Sequence, residues 1–196
     1  MQIIMKTCGT TTLLRCVATI LQAALEQQGL VLEWMSYSRK NFTFPGDQLF
    51  PHSSFDQELQ YLRAHSHLSY ILGPVTGDHW LVYVAETCHR RHHTATDRTM
   101  NMMMFDMHPD TASKFYKEAC PTAQAMTNET GIDKLVPGAV VDDHAFEPCG
   151  YSMNAILYDS YYTIHVTPEE SCSYASFETN HLFKSYRCGQ TIFKLL

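Results

Sequence analysis

Two short runs near the end of the chain, in which apolar and polar residues alternate, place the strongest limit on its fold. Residues 161–167 and 173–179 send successive side chains to opposite faces, as residues of half-buried β-strands do. Pro168-Glu169-Glu170 lies in the link between them and favours a turn. A short turn between two such runs predicts an antiparallel hairpin.

A hydroxyl, an imidazole and two carboxylates lie in or beside this hairpin. Ser152 precedes it within Gly150-Tyr151-Ser152-Met153-Asn154, and His165 lies in its first strand. Glu169 lies in the turn and Glu178 in the second strand. Because side chains on neighbouring short strands can converge on one site, we expect a functional constellation here.

The size and charge of the chain limit its class. With 196 residues, 45% of them hydrophobic, the chain is long enough for one domain with a substantial core. The formal net charge of −6, with scattered Lys and Arg, gives no electrostatic footprint for nucleic acid or an anionic membrane. We expect a small molecule or a protein as the partner.

The cysteines and the N-terminal stretch bear on the compartment. Seven cysteines, an odd number without a C-x-x-C pair, suggest neither a complete disulfide framework nor a zinc ribbon. Reduced thiols in a cytoplasmic protein fit this pattern best. Arg15 interrupts the apolar N-terminal stretch, and Gln22 and Glu26 follow, which argues against a signal peptide or a membrane span.

Patterns along the rest of the chain predict an α+β fold with mostly antiparallel sheet. Apolar residues at three- and four-residue spacing predict an amphipathic helix over residues 10–28 that ends at Gly29. Ile3-Ile4-Met5 is β-prone, so Cys8 is predicted at a strand-to-helix turn. The other predicted elements are helices at 55–64, 111–119 and 127–135, a hairpin of 70–75 with 80–85, and a strand at 99–107.

Three residues have the chemistry of a catalytic group, and each also has a simpler role. A helix N-terminus stabilises a thiolate, so Cys8 could be a nucleophile or a proton donor, although most free cysteines are small buried hydrophobes. The sequence around Ser152 lacks the second glycine of a nucleophile elbow, which favours a turn serine with local backbone bonds. His165, inside an apolar strand, is more often a satisfied half-buried histidine than a base.

Aromatic and acidic residues offer binding chemistry with the same ambiguity. Phe146 could stack on a flat ligand or belong to the core. Glu169 and Glu178 are most simply exposed carboxylates. Asp97 and Thr99, two residues apart, would share one face of a strand, where they could meet a cationic ligand or cap the strand end.

The histidines between Cys88 and Thr94 raise the question of a metal site. The segment Cys88-His89-Arg90-Arg91-His92-His93-Thr94 is polar and poorly patterned, and no third ordered ligand accompanies its histidines. We interpret it as a solvated loop and expect no metal.

Five blocks of sequence together carry a specific family resemblance. They are Lys6-Thr7-Cys8-Gly9-Thr10-Thr11, Tyr37-Ser38-Arg39-Lys40-Asn41-Phe42, Pro148-Cys149-Gly150-Tyr151-Ser152-Met153-Asn154, Thr163-Ile164-His165-Val166-Thr167-Pro168-Glu169 and Ser176-Phe177-Glu178-Thr179-Asn180. In this order they closely resemble eukaryotic S-adenosylmethionine decarboxylase, across almost the whole chain to Asn180. The resemblance implies an αββα sandwich of antiparallel sheets, here incomplete at both ends. It implies removal of the carboxylate of S-adenosylmethionine, which supplies aminopropyl groups for spermidine and spermine.

The resemblance also implies a cofactor and the roles of individual residues. In that family the electron sink is a pyruvoyl group, formed by an acyl shift and chain cleavage at a serine that follows a glutamate. Ser152 and His165 match the pair that assists this self-processing, and Cys8 matches the proton donor to the substrate α-carbon. Glu169 matches the carboxylate that grips the ribose hydroxyls, and Phe146 matches one of two aromatic residues that sandwich the adenine.

A further group of matches concerns putrescine. Asp97, Thr99 and Glu178 match parts of the acidic cluster that binds putrescine in family members activated by it. Asn101 takes the place of a further glutamate of that cluster.

Departures from the family lead to an expectation about activity. The family's Glu-Ser-Ser processing site lies a little upstream of the Cys8 block, whereas the only Glu-Ser dipeptide of this sequence is Glu170-Ser171. We therefore expect this chain to lack the pyruvoyl-forming serine and to be inactive alone. Residues 1–180 are expected to form a partial decarboxylase-like domain, and residues 181–196 a divergent C-terminal tail.

Three hypotheses about the function follow. The favoured one is a piece of a working decarboxylase gene shortened at both ends, because Cys8, Ser152, His165 and Glu169 are retained. The second is an inactive paralogue that activates the true enzyme by pairing with it, and a homodimer is the other pairing considered. The third is a self-standing hydrolase built on Cys8 or Ser152 with His165, for which no motif is present.

Overall fold

The computed structural model describes residues 2–7, 9–62, 67–86 and 98–182. Backbone contacts divide the chain into two compact units, Met1–His92 and His93–Leu196. This division falls inside the predicted domain of residues 1–180, the extent of which stays a prediction.

The described part of the first unit combines helices with a three-stranded antiparallel sheet. Its elements are a 3-10 turn at Leu13–Cys16, α1 (Val17–Gln28), β1 (Trp34–Lys40), a 3-10 turn at Pro45–Asp47, α2 (Phe55–Leu62), β2 (His67–Leu72) and β3 (Trp80–Glu86). The strand order is β1-β3-β2, so the predicted hairpin of residues 70–75 and 80–85 is present as β2 and β3.

The N-terminal helix ends where the sequence predicts and begins later. Gly29 adopts a positive φ of 63° after α1, and its N–H donates to the carbonyls of Ala24 and Leu25. Such a left-handed cap favours glycine, which explains the end at Gln28. The prediction of a strand at Ile3-Ile4-Met5 is wrong: no strand forms within residues 2–7, because β-prone side chains need a neighbouring strand to pair with.

A buried ionic cluster lies beside the core of the first unit. The core comprises Leu14, Tyr37, Leu62, Tyr83 and Ala85. The fully buried carboxylate of Glu58 accepts hydrogen bonds from Tyr37 OH at 2.7 Å and Arg39 Nε at 2.9 Å. Nδ1 of the buried His52 lies 2.7 Å from the same carboxylate. The guanidinium supplies the counter-charge that a buried carboxylate needs.

The second unit is built on a five-stranded antiparallel sheet. Its described elements are β4 (Met100–Phe105), α3 (Pro109–Ala112), a 3-10 turn at Ser113–Phe115, α4 (Ala123–Thr130), a 3-10 turn at Ile132–Lys134, β5 (Val140–Ala145), β6 (Tyr151–Leu157), β7 (Ser160–Thr167) and β8 (Tyr174–Thr179). The strand order is β4-β8-β7-β6-β5, and the predicted hairpin of β7 and β8 is confirmed.

One face of this sheet is apolar and the opposite face is polar. Tyr151, Met153, Ile164 and Phe177 point into a core that is closed by residues from the segment of α3 and α4. The alternating pleat sends the side chains between them to the other side. Ser152, Asn154, Thr163, His165, Ser176 and Glu178 therefore share the polar face.

Helices in this unit differ from the predicted ones. The helix predicted at 111–119 ends at Phe115, because Tyr116 becomes extended and pairs with Cys149. The helix predicted at 127–135 begins at Ala123, because Thr122 Oγ1 accepts the N–H of Ala125 and caps it there. The α+β class and the antiparallel sheets are confirmed.

Candidate active site

Ser152 and His165 form a direct side-chain pair on the polar face. They are register partners on β6 and β7, and Ser152 Oγ lies 2.9 Å from His165 Nδ1. Both side chains are half-buried. A hydroxyl and an imidazole at this distance can exchange a proton.

The other nitrogen of the His165 ring also meets a hydroxyl. Thr163 Oγ1 lies 3.2 Å from Nε2, and Thr163 is buried. Because a hydroxyl can donate or accept, both neutral tautomers of the imidazole are satisfied here. When Nε2–H donates to Thr163, the lone pair of Nδ1 accepts the proton of the Ser152 hydroxyl, and His165 is then oriented as a base toward Ser152.

The expectation of a turn serine is wrong for Ser152. The residue lies within β6, and its side chain bonds His165 rather than nearby backbone. A nucleophile-elbow serine lies on a sharp turn from strand to helix, whereas Ser152 lies inside a strand of the sheet.

Phe146 lies in the loop that leads from β5 into β6. Its N–H donates to the carbonyl of Gly150 at 3.0 Å, and Gly150 has a positive φ of 109° that favours glycine. The ring of His144 meets the Phe146 ring edge-on, with centroids 4.7 Å apart. Phe146 remains 46% exposed, so it is not a core residue and part of its ring surface is open to solvent.

Glu169 follows the buried Pro168 in the exposed turn after β7. Its carboxylate is close enough to the Cys149 thiol to affect it: burial raises the pKa of Cys149, the charge of Glu169 raises it further, and a hydrogen bond from Tyr116 lowers it. Glu169 therefore lies beside the loop that carries Phe146. Cys149 and Tyr116 were not predicted as site residues, because an isolated tyrosine or cysteine carries no motif.

Glu178 belongs to a separate polar group on β8. It is half-buried rather than simply exposed, accepting from Asn101 Nδ2 at 2.7 Å and from Tyr161 OH at 3.0 Å. Within the described residues, the Oδ1 atom of Asn101 is buried without a hydrogen-bond partner. Thr99 is exposed and precedes β4.

Two predicted site residues, Cys8 and Asp97, lie outside the described residues, as does the histidine segment at 88–94. The approach of Cys8 to Ser152 and His165 stays a prediction. Among residues 2–7, 9–62, 67–86 and 98–182, no group of three His, Cys, Asp or Glu side chains is placed to hold a metal ion. In the same part of the chain, every helix is too short or too polar to cross a membrane.

Comparison with a solved structure identifies the class of protein. The crystal structure of the Trypanosoma brucei AdoMetDC-delta26 monomer matches with a TM-score of 0.70 and 33% identity, over 99% of this chain and 72% of that chain. The fold is thus that of a known decarboxylase structure.

The family follows from the sequence. The model of the adenosylmethionine decarboxylase family matches residues 1–196, and the chain belongs to this family. The S-adenosylmethionine decarboxylase proenzyme of Dictyostelium discoideum is 41% identical over 192 residues, which cover 97% of this chain and 50% of that protein. The Helianthus annuus proenzyme is 42% identical over 194 residues, covering 94% and 54%. The chain spans about half the length of these curated relatives.

Proposed function

We propose that this chain carries the substrate site and the proton-transfer pair of an S-adenosylmethionine decarboxylase. The reaction removes the substrate carboxylate and supplies aminopropyl groups for spermidine and spermine. The observation that carries the proposal is the 2.9 Å contact between Ser152 Oγ and His165 Nδ1. Membership of the family supplies the reaction class.

The Ser152–His165 pair fits the pyruvoyl group that the family implies. Forming that group from a serine requires a proton to be moved beside the breaking chain, and a hydroxyl bonded to an imidazole is suited to this. The bound group supplies the electron sink for decarboxylation. Thr163 holds the far side of the His165 ring, which keeps Nδ1 directed at Ser152.

Phe146 and Glu169 are the proposed contacts for the adenosine part of the substrate. A half-exposed ring offers a stacking face for adenine. An exposed carboxylate accepts two hydrogen bonds from neighbouring ribose hydroxyls. Their support is the proximity of the Glu169 turn to the loop between Phe146 and Gly150.

Glu178 and Asn101 are proposed to bind an ammonium group such as that of putrescine. The favouring observation is the buried Oδ1 of Asn101, an acceptor without a partner among the described residues, next to the Glu178 carboxylate. An ammonium group has three donors and a positive charge, which would satisfy both acceptors. The roles of Cys8 as proton donor and of Asp97 and Thr99 in this cluster are proposed from the resemblance, as is pairing as a homodimer. A cytoplasmic location is proposed from the odd set of cysteines.

Calorimetric titration with 5′-methylthioadenosine and S-adenosylmethionine tests the substrate site. The wild-type chain should bind both, and Phe146→Ala and Glu169→Gln should each weaken binding roughly three- to tenfold. Tyr158→Ala and Glu129→Gln are the matched controls, because both residues are exposed and neither belongs to the proposed site. Absence of binding by the wild-type chain would refute the proposed substrate site.

A second assay separates the enzyme from the regulatory partner. The chain alone is expected to show no self-cleavage on a denaturing gel and no labelled CO2 from carboxyl-labelled S-adenosylmethionine, because its only Glu-Ser dipeptide lies in the turn after β7. The chain should then be mixed with an active decarboxylase of the same family. An increase in the partner's rate of CO2 release would support the inactive-paralogue alternative, and turnover by the chain alone would overturn the expectation of inactivity.

A further inference from the structure

The backbone around Tyr116 supports the loop that carries Phe146. Tyr116 leaves the 3-10 turn in an extended conformation, φ −98° and ψ 136°, and pairs antiparallel with Cys149. Lys117 N–H donates to the Pro148 carbonyl at 3.1 Å, and Gly150 N–H donates to the Phe115 carbonyl at 2.9 Å. The loop from Phe146 to Gly150 is thus held like a strand against residues 115–117.

The side chain of Tyr116 reaches the turn that carries Glu169. Its hydroxyl donates to the carbonyl of Pro168 at 3.4 Å, directly before Glu169. The same hydroxyl is near enough to the thiol of Cys149, the backbone partner of Tyr116, for the two groups to shift each other's pKa. A phenol has one proton, so the hydroxyl can donate either to the Pro168 carbonyl or to the Cys149 thiolate. Tyr116 therefore contacts the Phe146 loop through its backbone and the Glu169 turn through its hydroxyl.

Tyr116 keeps its proton under ordinary conditions. Partial burial raises the pKa of its hydroxyl, and the neighbouring Cys149 and Glu169 raise it further. The hydroxyl is consequently a donor throughout the neutral range.

We propose that Tyr116 is a positioning residue that fixes the Glu169 carboxylate for recognition of the ribose hydroxyls. This inference rests on the proposed function, in which Glu169 binds the ribose. Glu169 is exposed and lies in a turn, so its direction depends on the backbone at Pro168. The Tyr116 hydroxyl is a direct contact to that backbone, and the antiparallel pairing of Tyr116 with Cys149 joins the same residue to the Phe146 loop.

The test compares Tyr116→Phe, which removes only the hydroxyl, with the wild-type chain. Calorimetry gives the affinities for 5′-methylthioadenosine and for its 2′-deoxy and 3′-deoxy analogues. Wild type should prefer the nucleoside with both hydroxyls, and Glu169→Gln should lose that preference. Tyr116→Phe should reduce the preference roughly three- to tenfold, and the double variant should lose no more than Glu169→Gln alone. Tyr158→Phe, at a tyrosine that is 93% exposed, should change nothing.

A second measurement, made without a ligand, tests whether Tyr116 and Glu169 both act on the thiol of Cys149. The alkylation rate of Cys149, followed by peptide mass spectrometry at fixed pH, depends on the pKa of its thiol. Glu169→Gln removes a charge that raises this pKa and should accelerate alkylation, while Tyr116→Phe removes the hydrogen bond that lowers it and should slow alkylation. Cys16, which belongs to the other compact unit, provides the internal reference in each sample.

The outcomes separate this inference from the proposed function. If wild type binds none of the nucleosides, both are overturned. If Glu169→Gln loses the preference for the ribose hydroxyls but Tyr116→Phe keeps it at the wild-type value, the role of Tyr116 alone is overturned. A fall in melting temperature of Tyr116→Phe with unchanged preference and unchanged Cys149 alkylation would show a structural role only, and would also overturn the inference.

Discussion

Asn101 and Glu178 face each other across β4 and β8, and the amide of Asn101 donates to the carboxylate of Glu178 at 2.7 Å. The amide is uncharged, so within this described pair Glu178 is the one carboxylate. Tyr161 OH provides a further donor to Glu178 at 3.0 Å. A single substitution at Asn101 or Glu178 therefore changes the number of carboxylates in this described pair.

Asn101→Glu should strengthen binding of a diamine at this cluster. Two adjacent carboxylates repel, so the ligand-free variant should be destabilised by about 1 kcal/mol, and a bound ammonium group should relieve that repulsion. Thermal unfolding with and without putrescine measures the effect, and the putrescine-induced rise should be larger than in wild type. Glu178→Gln should abolish the rise, and Asn128→Glu, at an exposed position of α4, should leave it at the wild-type value. An equal rise in Asn101→Glu and Asn128→Glu would contradict a specific site.

The position of the ring proton on His165 should depend on its two hydroxyl neighbours, Ser152 and Thr163, in opposite ways. Ser152→Ala leaves Thr163 as the hydroxyl partner, so the ring proton should move to Nε2. Thr163→Val should move it to Nδ1, which then donates to Ser152. Each shift should change the tautomer ratio by roughly fivefold, which the ¹⁵N chemical shifts of His165 report. The same ratio in both variants would show that these hydroxyls do not orient the ring.

Glu58→Gln should destabilise the first unit strongly. The carboxylate is fully buried, and its loss leaves the largely buried guanidinium of Arg39 without a counter-charge, which costs about 3 kcal/mol. Denaturant unfolding measures the change in the free energy of unfolding. Glu26→Gln, on the exposed face of α1, should stay within about 0.5 kcal/mol of wild type. Equal stability of the two variants would show that the cluster contributes nothing.

Tyr162→Phe should stabilise the second unit, most of all at alkaline pH. Tyr162 is 1% exposed, and within the described residues its hydroxyl has no hydrogen-bond partner, so removing it should gain about 1 kcal/mol.

The pH dependence of this effect follows from burial, which raises the pKa of Tyr162 from 10.0 to about 12. Between these values the unfolded chain releases the proton first, so wild-type stability falls as pH rises, by about 1.4 kcal/mol at pH 11. Phenylalanine has no hydroxyl proton to release, so between pH 9 and pH 11 the variant should lose about 1.4 kcal/mol less stability than the wild type. Denaturant unfolding at both pH values tests this, and parallel losses in the two proteins would contradict it.

Strong local signals made part of this structure predictable from the sequence. Alternation over β7 and β8 with a proline-containing link was sufficient for the hairpin, and Gly29 was sufficient for the end of α1. The resemblance singled out Ser152 and His165, although their local patterns favoured simpler roles for both.

Other elements depended on contacts between distant residues. β6 alternates Tyr151, Met153 and Ala155 toward the core with polar residues between them, a pattern that could have predicted it. β5 carries three consecutive polar residues, Asp142, Asp143 and His144, so its sequence does not show the alternation of exposed and half-buried side chains that the strand has. The early end of the helix at Phe115 could not be predicted, because it depends on pairing with Cys149 more than thirty residues away.

The register of β6 makes the contact between Ser152 and His165 depend on the packing of the apolar core. Tyr151 and Met153 are buried on one face, and Ser152 meets His165 on the other because it lies between them. A slip by one residue would turn Ser152 into the core and Met153 toward the histidine. Selection for a well-packed interior therefore also preserves the partner of His165. A core mutation that shifts the register of β6 can separate Ser152 from His165 even though it changes neither residue.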